Sequence, residues 1–470
     1  MHDDRPSPIV SFPGEATRAP TDRRWLALLT LCLAVLVAQL DTSVVNLAVR
    51  PIGAYFRAGV GALQWVVDSY NLLYAVLLLT GGLLADLYGR RIIFMAGAAV
   101  FTVASLLCAL APTVLVLICG RALAGIGAAL LLPASLAIIR VVWPEPKERA
   151  RALGLWAACN GLALAIGPTL GGLLIARFGW RSIFLVVVPV GIAALALALP
   201  AIPESSDPQD RHFDAAAQVL GALALGGLAV AAIEFHGTVI LAAAALVVAL
   251  AALALFIRIE ARKGQQALVP LDMFRIRPFS GAIIATAGMT FGMYGVLFLL
   301  PLTWQSTGRL GPVAAGIALM PMALVFVLVS PFSGPLGTRL GARIMTGGGV
   351  GLIGAGLLVI GLTTRSASIL PAEIGLGLTG LGMGFATGPL MGTAVGAVSA
   401  ARSGTAAALI NVARMAGATI GVAILGAVFT ALQGGPEGLR LAMLVGGLVQ
   451  LTAAAVAWMT TGRGMAARSG

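Results

Sequence analysis

The chain has 470 residues, of which 59% are hydrophobic and 10% charged. A soluble domain carries about 25% charged residues, so a water-soluble fold is excluded, and repeated apolar runs of about 20 residues indicate an all-α integral membrane protein with many spans. The net charge of +12 follows the loops between those runs and is read as topology, not as a surface for nucleic acid.

Residues 1–24 are a polar tail without the layout of a cleavable signal, so the first apolar run is expected to remain as an uncleaved anchor. Fourteen spans follow, near 25–48, 62–85, 92–111, 113–139, 152–175, 182–201, 215–235, 238–257, 279–301, 313–335, 344–362, 370–393, 404–429 and 438–460. With a cytoplasmic N-terminus, 21 of the 30 basic residues fall on the cytoplasmic side. Seven fall opposite (Arg50, Arg57, Arg177, Arg181, Arg309, Arg365, Arg440), and Arg121 and Arg414 lie within spans. This bias predicts both termini in the cytoplasm. Cys32, Cys108, Cys119 and Cys159 all lie in apolar runs without paired or metal-ligand spacing, so neither disulfides nor a metal are expected.

In the first span, LVAQLDTSVVNLAV (36–49) places Asp41 in a stretch from Trp25 to Val49 with no other charge. A carboxylate there is costly and commonly marks a proton or substrate path, although one that only ties helices together meets the same constraint. Counted from the outer ends of their spans, Asp41 lies roughly 10 Å deep, Asp68 of the second span roughly 9 Å and Arg121 of the fourth roughly 12 Å. The three are therefore expected to converge, with Asp41 and Asp68 exchanging protons against a cationic substrate and Arg121 biasing the exchange. A structural ion-pair cluster is the alternative. Helical spacing puts Gln64, Trp65, Asn71 and Leu72 on the side of Asp68, and Trp65 is a candidate aromatic wall or a plain interfacial tryptophan. Gln39, Ser43 and Asn46 share another face of the first span and are expected to bond between helices.

The fifth span carries Gly161, Gly167, Pro168, Gly171 and Gly172, which predicts a bent, closely packed interface between halves. Further on, Met289, Phe291, Met293 and Tyr294 in the ninth span and Met383 and Phe385 in the twelfth suit a promiscuous pocket or ordinary packing. Arg414 lies near mid-membrane, three residues after Asn411, with no acid at its depth in that half, because Glu234 and Glu373 are near the outer surface. The candidate substrate cavity thus comprises Gln64, Trp65, Asn71, Tyr294, Met383, Asn411 and Arg414.

The chain also repeats. GGLLADLYGRR (81–91) is echoed by SGPLGTRLGAR (333–343), Gly125 and Gly127 by Gly380 and Gly382, and Gly154, Gly167 and Gly171 by Gly404, Gly417 and Gly421. Both basic turns fall on one side, so the repeat is parallel, as in transporters built from two halves. The displacement of 250–255 residues leaves room for two extra spans between the halves. The expected plan is a tail (1–24), a six-helix bundle (25–201), two inserted linker helices with their loops (202–278), a second six-helix bundle (279–460) and a tail (461–470).

GGLLADLYGRR resembles the helix 2–3 loop signature of the major facilitator superfamily, and RALAGIGAA (121–129) its helix-4 signature, with Ala124 where glutamine is common. GLALAIGPTLGG (161–172) is similar to the helix-5 signature associated with antiporters, and LDTSVVNLAV to the helix-1 signature of the 14-helix drug:proton antiporters. FLVVVPVG (184–191) fits the start of helix 6, with Val187 where asparagine is common. The resemblance implies that superfamily's fold, with 14 helices arranged as six, two and six, and proton-driven export of small, often lipophilic and cationic compounds. It further implies a conformational latch of Gly82, Asp86, Gly89, Arg90 and Arg91. There Asp86 would hold the bundles together on the cytoplasmic side by meeting the positive helix end near Ser403–Gly404. Thr338 replaces Asp86 in the second copy, so the latch is expected to be asymmetric.

Other classes fare worse. His2, His212 and His236 are not clustered with acids or cysteines, and no P-loop is present, so neither an embedded enzyme nor ATP drive is expected. The repeat with its latch fits alternating access better than a channel, and the helix-1 and helix-5 patterns argue against import. A dedicated exporter of an endogenous metabolite or lipid-like molecule remains open. The expected partners are a small-molecule substrate, protons and the lipid bilayer, with no cofactor beyond the proton gradient and a monomer as the working unit. Arginine outnumbers lysine 28 to 2, which agrees with a GC-rich bacterial genome and a place in the bacterial cytoplasmic membrane.

Overall fold

The computed structural model describes residues 21–206, 214–236, 238–264, 267, 269–399 and 402–461. Among these residues the regular structure is entirely helical. The first half comprises α1 (Thr21–Phe56), α2 (Val60–Tyr88), α3 (Arg90–Leu110), α4 (Val114–Val142), α5 (Pro146–Phe178) and a sixth span made of α6 (Ser182–Leu185) and α7 (Val187–Ala201). Next come α8 (Ala215–Ile233) and α9 (Val239–Lys263). The second half comprises α10 (Arg277–Ser306), α11 (Pro312–Val329) continued by α12 (Ser333–Leu340), α13 (Gly349–Leu362), α14 (Leu370–Gly396), α15 (Ser403–Ala431) and α16 (Gly435–Thr460). Thirteen helices among the described residues are long and apolar enough to cross a membrane, and α5 adds a shorter apolar stretch, Ile166–Phe178. The first turns of α5 carry Lys147, Glu148, Arg149 and Arg151, so its apolar part begins late. The helix α1 runs on past Val49 and through Pro51. Asp41 therefore stands fifteen residues before the helix end at Phe56, further from it than the expected span implies.

The internal repeat is written in the glycine contacts. A Cβ on Gly125 would lie 2.4 Å from the Tyr70 carbonyl oxygen, and one on Gly380 would lie 2.1 Å from that of Met322. Gly97 and Gly127 each back onto the other's carbonyl at 2.8–2.9 Å, as Gly349 and Gly382 do at 2.3–2.8 Å. On α5, Gly167 and Gly171 meet Ser43 and Val44 of α1; on α15, Gly417 and Gly421 meet Thr290 and Phe291 of α10. Both halves thus use small residues at the same places to bring backbones together, the packing that works where lipid supplies no hydrophobic drive. The embedded charges do not follow the repeat. In its register Gly288, Met320 and Leu376 stand where the first half has Asp41, Asp68 and Arg121.

The halves meet along α1–α10, α2–α15 and α5–α11. Gln305 Nε2 donates to the Leu47 carbonyl at 3.1 Å. Gln64 Nε2 donates to the carbonyls of Val422 and Ala423 at 2.9 and 3.0 Å. A Cβ on Gly172 would lie 2.7 Å from the Pro312 carbonyl oxygen, and one on Gly316 2.3 Å from that of Pro168. All these contacts lie at the end where α1 stops and α2 begins. One hydrophobic core joins that end of the first half (Leu47, Ile52, Leu63, Leu117) to the second half. A separate core fills the rest of the first half, with Met415 of α15 reaching into it. The molecule is closed at the end opposite the start of α1 and the end of α16.

The inserted helices α8 and α9 pack on each other, and α8 rests against α2 and α15 beside their seam. Ile240, Val247 and Leu250 of α9 are exposed, as suits a lipid-facing surface. At the other end of this pair Asp214 accepts from the Ala217 N–H at 3.1 Å, capping α8, and pairs with Lys263 at the end of α9.

Candidate functional site

Asp41 and Arg121 form a buried ion pair, Arg121 Nη1 donating to Asp41 Oδ2 at 2.5 Å, with both side chains at most 2% exposed. Arg121 Nε donates to the Val66 carbonyl at 3.1 Å. The guanidinium lies over the Tyr70 ring, 4.6 Å from its centroid, with Phe184 at 6.0 Å. Hydrogen bonds and ring faces surround the guanidinium in place of water.

Asp68 does not join that pair, which corrects the expected three-residue cluster. The face of α2 turned to α4 carries Val66 and Ser69, whose Oγ donates to the Ile118 carbonyl at 3.3 Å. Asp68 lies on the other face, in line with Gln64 and Asn71 and turned toward α15. It is fully buried, and neither of its carboxyl oxygens has a hydrogen-bond partner among the described residues. Asn71, also fully buried, has no partner on either amide atom. Thr419 of α15 lies on the face of Val422 and Ala423 and has an unpartnered hydroxyl, so a row of unsatisfied polar groups runs down a closed seam. Trp65 is half-buried beside this row.

Further along the seam, Arg414 Nη2 donates to Asn411 Oδ1, and Asn411 Nδ2 donates back to the Ala407 carbonyl at 3.0 Å. Arg414 Nε has no partner, and no ion pair of Arg414 occurs among the described residues. Arg414 lies within electrostatic reach of the Tyr74 and Tyr294 phenol groups, which sequence reasoning did not link to it. Tyr74 is three residues beyond Asn71, a helical spacing that could have pointed to it. Tyr294 packs against both hydrophobic cores and so sits between the halves. Met383, expected in the cavity, is instead 5% exposed and belongs to the core, as do Met289, Phe291 and Met293. Asn46 was expected to bond between helices, but its amide donates within α1 to Thr42.

At the latch, Asp86 Oδ1 accepts from Arg90 Nε at 3.1 Å and Nη2 at 2.9 Å. Arg91 turns away to Glu204, with Nε 3.7 Å from Oε2. Gly89 has φ of 111°, a conformation that favours glycine, and its repeat partner Gly341 has 85°. The close approach of α2 to α4 is made by Gly81, whose Cβ would lie 1.9 Å from the Ala129 carbonyl oxygen; a Cβ on Gly82 would lie 3.6 Å from Pro133. The side-chain surroundings of Thr338, His236 and Gly161 lie outside those described. On α5 the expected interface divides: Gly167 and Gly171 pack against α1 within the first half, while Pro168 and Gly172 meet α11 across the halves.

Residues 31–217 and 212–422 match the family model described as Major Facilitator Superfamily. The chain is 37% identical over 409 residues to the multidrug resistance protein Stp of Mycobacterium tuberculosis, covering 86% of this chain and 76% of that protein. It is 33% identical over 427 residues to the multidrug efflux pump LfrA of Mycolicibacterium smegmatis, covering 90% and 84%. A solved structure of a bacterial homologue of the human lysosomal transporter Spinster, in an inward-facing and unoccupied conformation, matches with a TM-score of 0.70. That match covers 94% of this chain and 98% of the other at 18% identity, a likeness of fold alone.

Proposed function

This chain belongs to the Major Facilitator Superfamily, and from that premise we propose that it exports small lipophilic drugs or antibiotics in exchange for protons, by alternating access and as a monomer. Like its efflux relatives it is a transporter and not an enzyme, a multi-pass protein of a bacterial inner membrane. The bias of basic residues supports cytoplasmic termini. In that orientation the closed end faces outward.

The observation that carries the proton assignment is the unpartnered Asp68 carboxyl inside the closed α2–α15 seam. An ionised carboxylate without partners in such surroundings costs several kcal/mol. The seam therefore closes on the neutral acid, and Asp68 acquires its proton when the seam opens outward. Asn71 and Tyr74 continue the line inward and offer the proton a way to the cytoplasmic cavity when a cationic substrate takes its place. Asp41 and Arg121 stay paired throughout and bias the exchange by holding α1 to α4. The latch at Asp86 stabilises the opposite, outward-facing state by meeting the N-terminal end of α15.

Uptake of a lipophilic cationic dye by everted vesicles under an imposed proton gradient tests this. The wild-type chain should accumulate dye and lose it when an uncoupler is added, and Asp68→Asn should abolish gradient-driven uptake. Normal uptake by Asp68→Asn at equal expression overturns the assignment. A second reading, a dedicated exporter of an endogenous metabolite with an acidic or strongly accepting group, is favoured by Arg414, a charge between the halves that has no ion pair among the described residues.

A further inference from the structure

We infer that Glu204, in the segment after α7, is a positioning residue for the latch; the inference rests on the latch reading of Asp86. The first N–H groups of any helix lack intrahelical acceptors, and α3 begins at a glycine with no side chain to cap it. Glu204 supplies the missing acceptors from 112 and 113 residues away. Its Oε1 accepts from the Arg91 N–H at 3.1 Å and its Oε2 from the Ile92 N–H at 3.2 Å. The next residue completes the clamp, with the Arg90 N–H donating to the Ser205 carbonyl at 2.8 Å. A Cβ on Gly89 would lie 2.8 Å from Glu204 Oε1, so the carboxylate occupies the space that the glycine leaves.

This arrangement divides the labour of the two arginines. The side chain of Arg91 is committed to Glu204 and to the Ile202 carbonyl, which its Nη1 meets at 3.4 Å. Arg90, with its backbone fixed by Ser205, is left to hold Asp86. Among the described residues the second copy of the turn shows no such clamp, since a Cβ on Gly341 would meet nothing within 4 Å. Glu204 also stands in the segment that leads to α8, so the clamp ties the latch to the connection of the inserted helices.

The test measures spin-label distances between the cytoplasmic ends of α2 and α15 in the full chain in lipid nanodiscs, together with transport kinetics and melting temperature. Loss of a capping carboxylate should shift the equilibrium toward the inward-facing state by about three- to tenfold. Glu204→Ala should show that shift in the same direction as Asp86→Asn, with a reduced maximal rate and a KM changed by less than about twofold. Glu204→Asp should recover part of the balance, and Glu204→Gln carries the same test if Glu204→Ala does not fold. A lower melting temperature with an unchanged balance would show a merely structural cap and overturn the inference. If Asp86→Asn shifts the balance and the Glu204 variants do not, the positioning role alone falls. If Glu204→Ala shifts it and Asp86→Asn does not, a role exerted through Asp86 is overturned. If neither variant shifts it, the latch reading falls as well.

Discussion

Asp41 and Asp68 are the same residue type at neighbouring depths and are equally buried, yet they are in opposite situations. Asp41 has an arginine and Asp68 has no partner. Breaking a buried pair by removing one member costs about 3–5 kcal/mol, so Arg121→Leu should lower stability by about that amount. Asp68→Asn exchanges an unpartnered carboxyl for a neutral amide of the same shape and should change stability by less than about 1 kcal/mol while abolishing proton coupling. Thermal unfolding of both variants in detergent checks the contrast, and equal losses would show that the two acids are not distinct. Helical rise is constant, so depth follows from the sequence once a helix end is known, and the end of α1 lies past Pro51 at Phe56. The side of α2 that faces Arg121 does not follow in this way, since it depends on how α2 is rotated against α4. That rotation is set by Gly81 and Gly125 meeting backbone atoms. Asp68, Gln64 and Asn71 then look toward α15.

At the scale of elements, glycines and two glutamine amides hold the halves together at one end. Among the described residues Gly316 makes the tightest approach to backbone across the halves, since its added Cβ would press on Pro168, whose carbonyl cannot swing aside as a side chain can. Overpacking of this kind costs about 1–3 kcal/mol, and here the cost falls only on the closed state. Gly316→Ala should therefore raise the population open at that end by about five- to 150-fold, read from thiol labelling of a cysteine placed in the seam. Unchanged labelling would mean that the α5–α11 seam does not form the gate. The α8–α9 pair offers a pH test. Burial alone would raise the Asp214 carboxyl, but the Lys263 ammonium and the Ala217 N–H outweigh it and hold it below its ordinary value. A lowered carboxylate stabilises the fold above the ordinary range and loses that contribution as pH falls through its own value. Amide protection at the start of α8 should thus be constant from about pH 7 to 5 and fall below about pH 4. Asp214→Asn should remove this pH dependence.

At the scale of the whole molecule, a two-fold repeat of small residues builds similar halves, and charges placed outside that repeat make them unequal. The same glycine contacts recur in both halves, whereas among the described residues the buried ion pair, the unpartnered buried acid and the glutamate clamp belong to the first half. Periodicity, apolar run length and the bias of basic residues determine from sequence alone that the chain is a membrane-embedded helical repeat, because those signals are local and additive. The same holds for the motif residues Asp41, Asp68, Asp86 and Arg121, since a charge in an apolar run stands out whatever surrounds it. Tertiary structure alone decided that Asp41 takes Arg121, that Asp68 is closed into the seam, that Arg91 turns to Glu204 and that Met383 is core. Each of those outcomes depends on helix rotation and on contacts between residues far apart in the chain, and spacing along a sequence does not encode which faces meet.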